Sequence, residues 1–140
     1  MMIRRSPVLS LVLVLILLST VSQARNPIKR TFFSLYPEAD GTQLNELPSN
    51  AGHCGVCHFD FDGGGPRNPY GLSVEVGIQG GLSNEQSILN VELDDADGDG
   101  FSNLQEITDR AGFTNTPTFP GLKLSNYAAA LNVDLTEVEP

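Results

Sequence analysis

With 140 residues and 17 acidic against 8 basic side chains, the chain carries a formal net charge of −9 and has room for one small domain. That excess of carboxylate works against nucleic acid and anionic lipid surfaces as partners. It favours a basic protein or a bound cation.

The chain opens on an export signal. Arg4 and Arg5 form a positive n-region, Val8 to Leu18 is apolar except for Ser10, and Ser22-Gln23-Ala24 offers small residues for cleavage after Ala24. The apolar run is shorter than the roughly 20 residues needed to span a bilayer. Residues 1–24 are therefore read as a cleaved signal peptide rather than an anchor. No cysteine stands at the cleavage site, which argues against a lipoprotein. The mature protein is expected outside the cytoplasmic membrane, periplasmic or extracellular, and not embedded in it. Loss of Arg4 and Arg5 takes its formal charge to −11.

Residues 25–49 form an N-terminal segment without a clean period. Phe32, Phe33, Leu35 and Tyr36 cluster there, either as ordinary core or as cover for one side of a cofactor.

Cys54-Gly55-Val56-Cys57-His58 follows, and it contains both cysteines of the protein. C-x-x-C-H is the attachment signature of c-type haem. Two thiols add across the porphyrin vinyl groups, and the adjoining imidazole binds the iron. Two intervening residues let one tight turn present both sulfurs and the imidazole to one porphyrin edge. The expectation is one covalent haem c on Cys54 and Cys57, with His58 as proximal iron ligand. A C-x-x-C disulfide is the alternative. A thiol oxidoreductase would set the motif in a β-α-β unit after a strand, whereas glycines and a proline follow here at 63–66. Zinc is a poor fit, because Cys54, Cys57, His58 and His53 are crowded together with no second ligand pair elsewhere.

Asp62 to Gly71 holds three consecutive glycines and two prolines, so neither a regular helix nor a central strand is expected there. Two readings stand for this stretch. In one, glycine lets the backbone approach the porphyrin, with Arg67 near a propionate and Tyr70 as a further contact. In the other it is a tight surface loop, with Arg67 paired to an acid. A phosphate loop is excluded by the missing lysine and hydroxyl residue.

Ser83 or Asn84 can cap a helix starting at Glu85, with Gln86 completing a capping box. Ile88, Leu89, Val91 and Leu93 supply its apolar positions. Asp95 to Glu106 then follows the D-x-D-x-D-G-x5-E pattern of an EF-hand-type calcium loop. Asp95, Asp97 and Asp99 converge on the ion, and Gly100 permits the sharp turn. The Phe101 carbonyl supplies a ligand, Asn103 reaches the ion through water, and Glu106 closes the site. Oxygen donors alone favour calcium. Ser102 stands where a regulatory EF-hand carries an apolar residue, and no second loop exists, so a bound ion would be structural. The bland alternative is a solvated acidic turn. Leu104 and Ile107 then face one core, and Gly112 is a plausible helix end. Pro117 and Pro120 break any continuation, a last short helix is expected from Ser125 to Leu131, and residues 133–140 read as a flexible acidic tail.

The iron's second axial ligand is not obvious. The only methionines, Met1 and Met2, leave with the signal peptide, and His53 adjoins Cys54, where the thioether tether hinders its reach. His53 is then a surface imidazole or a ligand to the haem of another molecule. Tyr70, Lys123, Lys29 or the new terminal amine remain as candidates, and a five-coordinate iron is the other outcome.

Three stretches occur in a telling order: Gly52 to His58, Gly63-Gly64-Gly65-Pro66-Arg67-Asn68-Pro69-Tyr70-Gly71, and Asp97 to Asn103. Together they resemble the temptin-type domain, a small secreted module with a GGGxRNPxG stretch and a DxDGDGxxN loop. The resemblance covers roughly residues 50 to 110, within a domain placed at 50–132. It implies a secreted, calcium-stabilised domain, of which bacterial relatives often carry CxxCH before the glycine stretch. The animal protein's disulfide joins distant cysteines and does not carry over to Cys54 and Cys57.

The predicted fold is mostly α with extensive irregular loops, a small haem-binding domain with a single EF-hand-like calcium loop. The standard cytochrome c fold is not expected, since it usually draws a downstream methionine to the iron. The predicted role is an exported mono-haem c-type cytochrome in electron transfer, not an enzyme, with one calcium ion and a basic redox partner. The alternative is a haem-free, secreted, temptin-like calcium-binding module with a Cys54–Cys57 disulfide.

Overall fold

The computed structural model describes residues 26–46, 54–63, 65–109 and 117–123. The signal peptide, His53, Gly64, Gly112, the helix expected from Ser125 and the acidic tail lie outside the described residues.

Helix α1 (Asn26–Leu35) places Ile28, Phe32 and Leu35 on one side at helical spacing, although residues 25–49 gave no clean period. Tyr36 follows it into the core, and Pro37 stops the helix and opens a 3-10 turn, Pro37–Ala39. A single turn, α2 (Gln43–Glu46), buries Leu44 completely.

Helix α3 (Pro69–Gln79) corrects the expectation for the glycine- and proline-rich stretch. The loop ends at Asn68, which caps the helix by accepting the Gly71 amide at 2.8 Å. Pro69 occupies the first turn, where its missing N–H costs nothing and its fixed φ suits the helix. Tyr70, Gly71 and Val74 face inward, while Leu72 and Val76 face solvent.

Helix α4 (Asn84–Leu89) starts as expected. Ser83 caps it, and its hydroxyl accepts the Gln86 amide while the Gln86 side chain accepts the Ser83 amide. It is shorter than its apolar pattern suggested. Val91 is buried in the turn that follows, but Leu93 is 84% exposed and belongs to no core. Helix α5 (Asn103–Thr108) has a second reciprocal cap between Ser102 and Gln105. Ile107 is fully buried and Leu104 packs beside it.

Helix α4 lies against both α3 and α1. Gly77 makes the α3 contact close, since a Cβ there would stand 2.8 Å from Ser87 Oγ. Residues from every described stretch enter one core, among them Phe32, Leu44, Phe61, Tyr70, Ile107 and Phe119. The N-terminal segment is therefore part of the same body as the C-x-x-C-H turn. Among the described residues there is no strand, only an isolated antiparallel bridge between His58 and Arg67. The protein is mostly α with irregular loops. No helix among the described residues is long and apolar enough to cross a membrane.

Candidate functional site

The C-x-x-C-H residues fold into one turn. The Cys54 carbonyl accepts both the Cys57 and the His58 amide at 3.1 Å, and the Cys54 amide donates to the Phe61 carbonyl at 2.8 Å. Asn68 clamps this turn onto α3. Its side-chain amide donates to the carbonyls of Gly55 and Val56, at 3.0 and 3.1 Å. Its backbone amide donates to the Cys57 carbonyl at 3.1 Å. The residue is wholly buried.

The clamp requires close backbone approach. A Cβ on Gly71 would stand 2.1 Å from the Cys57 carbonyl oxygen, a distance no packing adjustment relieves. Gly63 has φ +81°, and a Cβ there would meet Cys54 Sγ at 2.9 Å. The close backbone approach that glycine permits here is made to the cysteine turn itself.

Cys54, Cys57 and His58 open into a cavity of about 350 Å³. That lies within the range of roughly 300–1,000 Å³ usual for cofactor sites. Its apolar wall comes from Phe32 and Phe33 of α1, Val74 and Ile78 of α3, and Ile88 of α4. Arg67, Tyr70 and Lys29 line it too, beside Cys54, Cys57 and His58. Phe32 and Phe33 serve as core and as cavity wall at once. Arg67 pairs with Glu75 at 2.8 Å on the cavity rim. Lys29 lies over the Phe33 ring, 5.7 Å from its centroid. Lys123, by contrast, is no cavity residue, since its Nζ donates to the Gly98 carbonyl in the acidic loop at 2.9 Å.

Burial shapes the chemistry of this cavity. Cys57 has its thiol pushed up to about 12, first by burial, then by the neighbouring Cys54, with Arg67 opposing. Tyr70 is 1% exposed and its hydroxyl, buried, makes no hydrogen bond. Burial above all keeps it a neutral phenol, assisted by Cys57, Tyr36 and Glu92.

The acidic loop brings Asp95, Asp97 and Asp99 together, one oxygen of each within 4.8 Å of the others. Asp95 accepts the amides of Gly98, Asp99 and Gly100, at 2.7, 3.1 and 3.0 Å. Asp99 accepts the Phe101 amide at 2.8 Å. Gly98 and Gly100 have φ of +79° and +106°, which glycine alone adopts readily. Asp97 Oδ2 is buried without a hydrogen bond, while its carboxyl is raised to about 6 by burial first and by Asp99 and Asp95.

Glu106 is not part of that triad. Asn103 is wholly buried and braces the loop. Its amide donates to the Val91 carbonyl at 2.6 Å, and its oxygen accepts the Ala96 amide at 3.2 Å. Glu106 lies on the inward face of α5, both carboxylate oxygens buried, outside the Asp95–Asp97–Asp99 group. Two residues carry roles that sequence reasoning did not assign. Asn68 was legible as an N-cap, since asparagine before proline is a helix-start signal. Ser102 was legible through Gln105, three residues on.

Comparison with known proteins finds no matching family, no similar curated protein and no similar solved structure.

Two outcomes follow from this geometry. Gly71→Ala forces the Cys57 carbonyl off α3 and should cost about 3 kcal/mol or more, the range of the severest single substitutions. Urea unfolding of wild type and variant measures it, and a loss below about 1 kcal/mol contradicts the clamp. The second concerns pH. Because Asp97 is raised to about 6 in the folded protein, its charged form weakens the metal-free fold above that pH. The cost is relieved as pH falls from about 6 towards the ordinary carboxyl value near 4. Asp97→Asn should therefore raise the melting temperature of chelator-treated protein by a few degrees at about pH 7, and by little near pH 4. An equal effect at both pH values contradicts it.

Proposed function

We propose that this chain is an exported mono-haem c-type cytochrome that carries electrons, with one calcium ion holding its acidic loop. One observation carries the reading: the two cysteines and the histidine of the attachment motif line one apolar cavity of cofactor size. A haem there would supply a reversible one-electron iron couple. Cys54 and Cys57 would hold it by thioether bonds, and His58 would bind the iron. Phe32, Val74 and Ile88 would cover the ring, and Lys29 and Arg67 supply cations for its carboxylates. Tyr70 offers a buried hydroxyl in the same cavity. The glycine-rich stretch and the acidic loop keep the resemblance to temptin-type domains as part of this proposal.

For calcium, the support lies in Asp95, Asp97 and Asp99. Three carboxylates within 4.8 Å repel one another, and the buried Asp97 Oδ2 has no other partner. Phe101 offers its carbonyl, Glu106 a further carboxylate, and Asn103 fixes the loop. The acidic mature surface fits a basic redox partner.

Mature protein made in a host that attaches haem should exceed its polypeptide mass by one haem. Its visible absorbance band should survive acid-acetone extraction. A colourless product at bare polypeptide mass would sink the cytochrome reading and leave the haem-free module. Calcium is tested separately by melting with and without a chelator. The expected loss is several degrees, and an unchanged melting curve means that the loop holds no ion.

A further inference from the structure

Residues 117–123 run between the two candidate sites and touch both. On the side of the cysteine turn, the Phe119 ring stacks on Phe61, with centroids 5.3 Å apart and planes at 24°. Phe61 is the residue whose carbonyl holds the Cys54 amide. Gly121 presses on the clamp itself: a Cβ there would stand 2.6 Å from Asn68 Oδ1 and 2.9 Å from Tyr70 Cβ. On the side of the acidic loop, the Thr118 amide donates to the Glu106 carbonyl at 2.8 Å. Lys123 Nζ donates to the Gly98 carbonyl at 2.9 Å, within the loop that carries the three aspartates. Phe119 and Leu122 are fully buried. Packed interiors have low compressibility, so a segment held this way transmits displacement instead of absorbing it.

We propose that residues 117–123 form a strap coupling cation binding in the acidic loop to the haem turn, with Lys123 as the positioning residue at its loop end. The proposal rests on the haem and calcium reading above and names the link between its two sites. A divalent ion gathered by Asp95, Asp97 and Asp99 repels the Lys123 ammonium and weakens its bond to Gly98. The strap then shifts against Asn68, which holds the Gly55 and Val56 carbonyls of the haem turn. Linkage makes the effect reciprocal. The factor by which calcium shifts the iron's reduction equilibrium equals the ratio of calcium affinities in the two oxidation states.

The test uses haem-loaded protein. Its one-electron equilibrium is poised against a redox dye, with calcium or with chelator at equal ionic strength. Calcium is titrated calorimetrically into each oxidation state. The expected coupling is about fivefold or more in wild type. Lys123→Gln should reduce it below about twofold, and Lys123→Arg should retain it. The field of the bound ion acting through space would survive Lys123→Gln, so equal coupling in all three proteins overturns the strap. Equal calcium affinity in both oxidation states of a wild type that binds both cofactors overturns it as well. Missing haem by mass, or missing calcium by calorimetry, instead defeats the underlying reading, and the strap falls with it.

Discussion

The carboxamide of Asn68 is the point on which the rest of the structure turns. One buried side chain caps α3 at Gly71 and holds the carbonyls of Gly55 and Val56. Its own backbone amide takes the Cys57 carbonyl. A hydrogen bond made on folding contributes only about 1 kcal/mol net, but a buried group left unmade costs about 1–3 kcal/mol. Losing Asn68 would orphan several such groups at once. The same clamp dictates small residues around it. Gly71 and Gly121 both stand where a Cβ would fall within 3 Å of Cys57 or Asn68. The orientation of two sulfurs and an imidazole into one cavity is thus set by a residue that carries no chemistry of its own.

That cavity bears on stability as much as on function. A dry void costs roughly 24 cal/mol per Å³. A fully enclosed void of about 350 Å³ would cost roughly 8.4 kcal/mol, and this one, open to solvent at its mouth, costs less. Small domains have net stabilities of about 5–15 kcal/mol. A core of this size therefore has reason to surround something. A rigid apolar body gripped by Phe32, Val74 and Ile88 would convert the cavity from a cost into burial. The proposed haem is in this sense part of the core, not an addition to it.

Much of this arrangement was legible in the sequence, and the failures have physical causes. The helix start at Ser83 was readable because a capping box is local, needing only Ser83 and Gln86. The acidic loop was readable for the same reason: its turns are formed by its own carboxylates. Helix α3 was not, because glycine and proline are ordinarily breakers. Here Pro69 is harmless at the first turn, and Gly71 is present for the Cys57 carbonyl, a contact invisible in one dimension. Leu93 was counted among the apolar positions of the Ser83-capped helix, but the helix had ended four residues earlier. Asn103 fitted a ligand position in the loop pattern, while its wholly buried amide is engaged by Val91 and Ala96. The cavity itself could not be read, since α1, α3 and α4 each supply only part of its wall.

The acidic loop carries the same lesson in electrostatic terms. Asp95 has three backbone amides to offset its charge, and Asp99 has one from Phe101. Asp97 receives only the long 3.3 Å contact from the Asp99 amide, while its other oxygen is buried without a partner. Its proton affinity rises accordingly, as expected when desolvation and like charge act together. A proton or a divalent ion would relieve the same imbalance, so the two would compete for this carboxylate. At neutral pH the proton is scarce, and the ammonium of Lys123, committed to the Gly98 carbonyl, offsets only part of the charge. A loop whose backbone is already folded around its aspartates needs little rearrangement to receive the stronger cation. The energy of the proposed ion's binding would then be free to act on whatever else the loop touches.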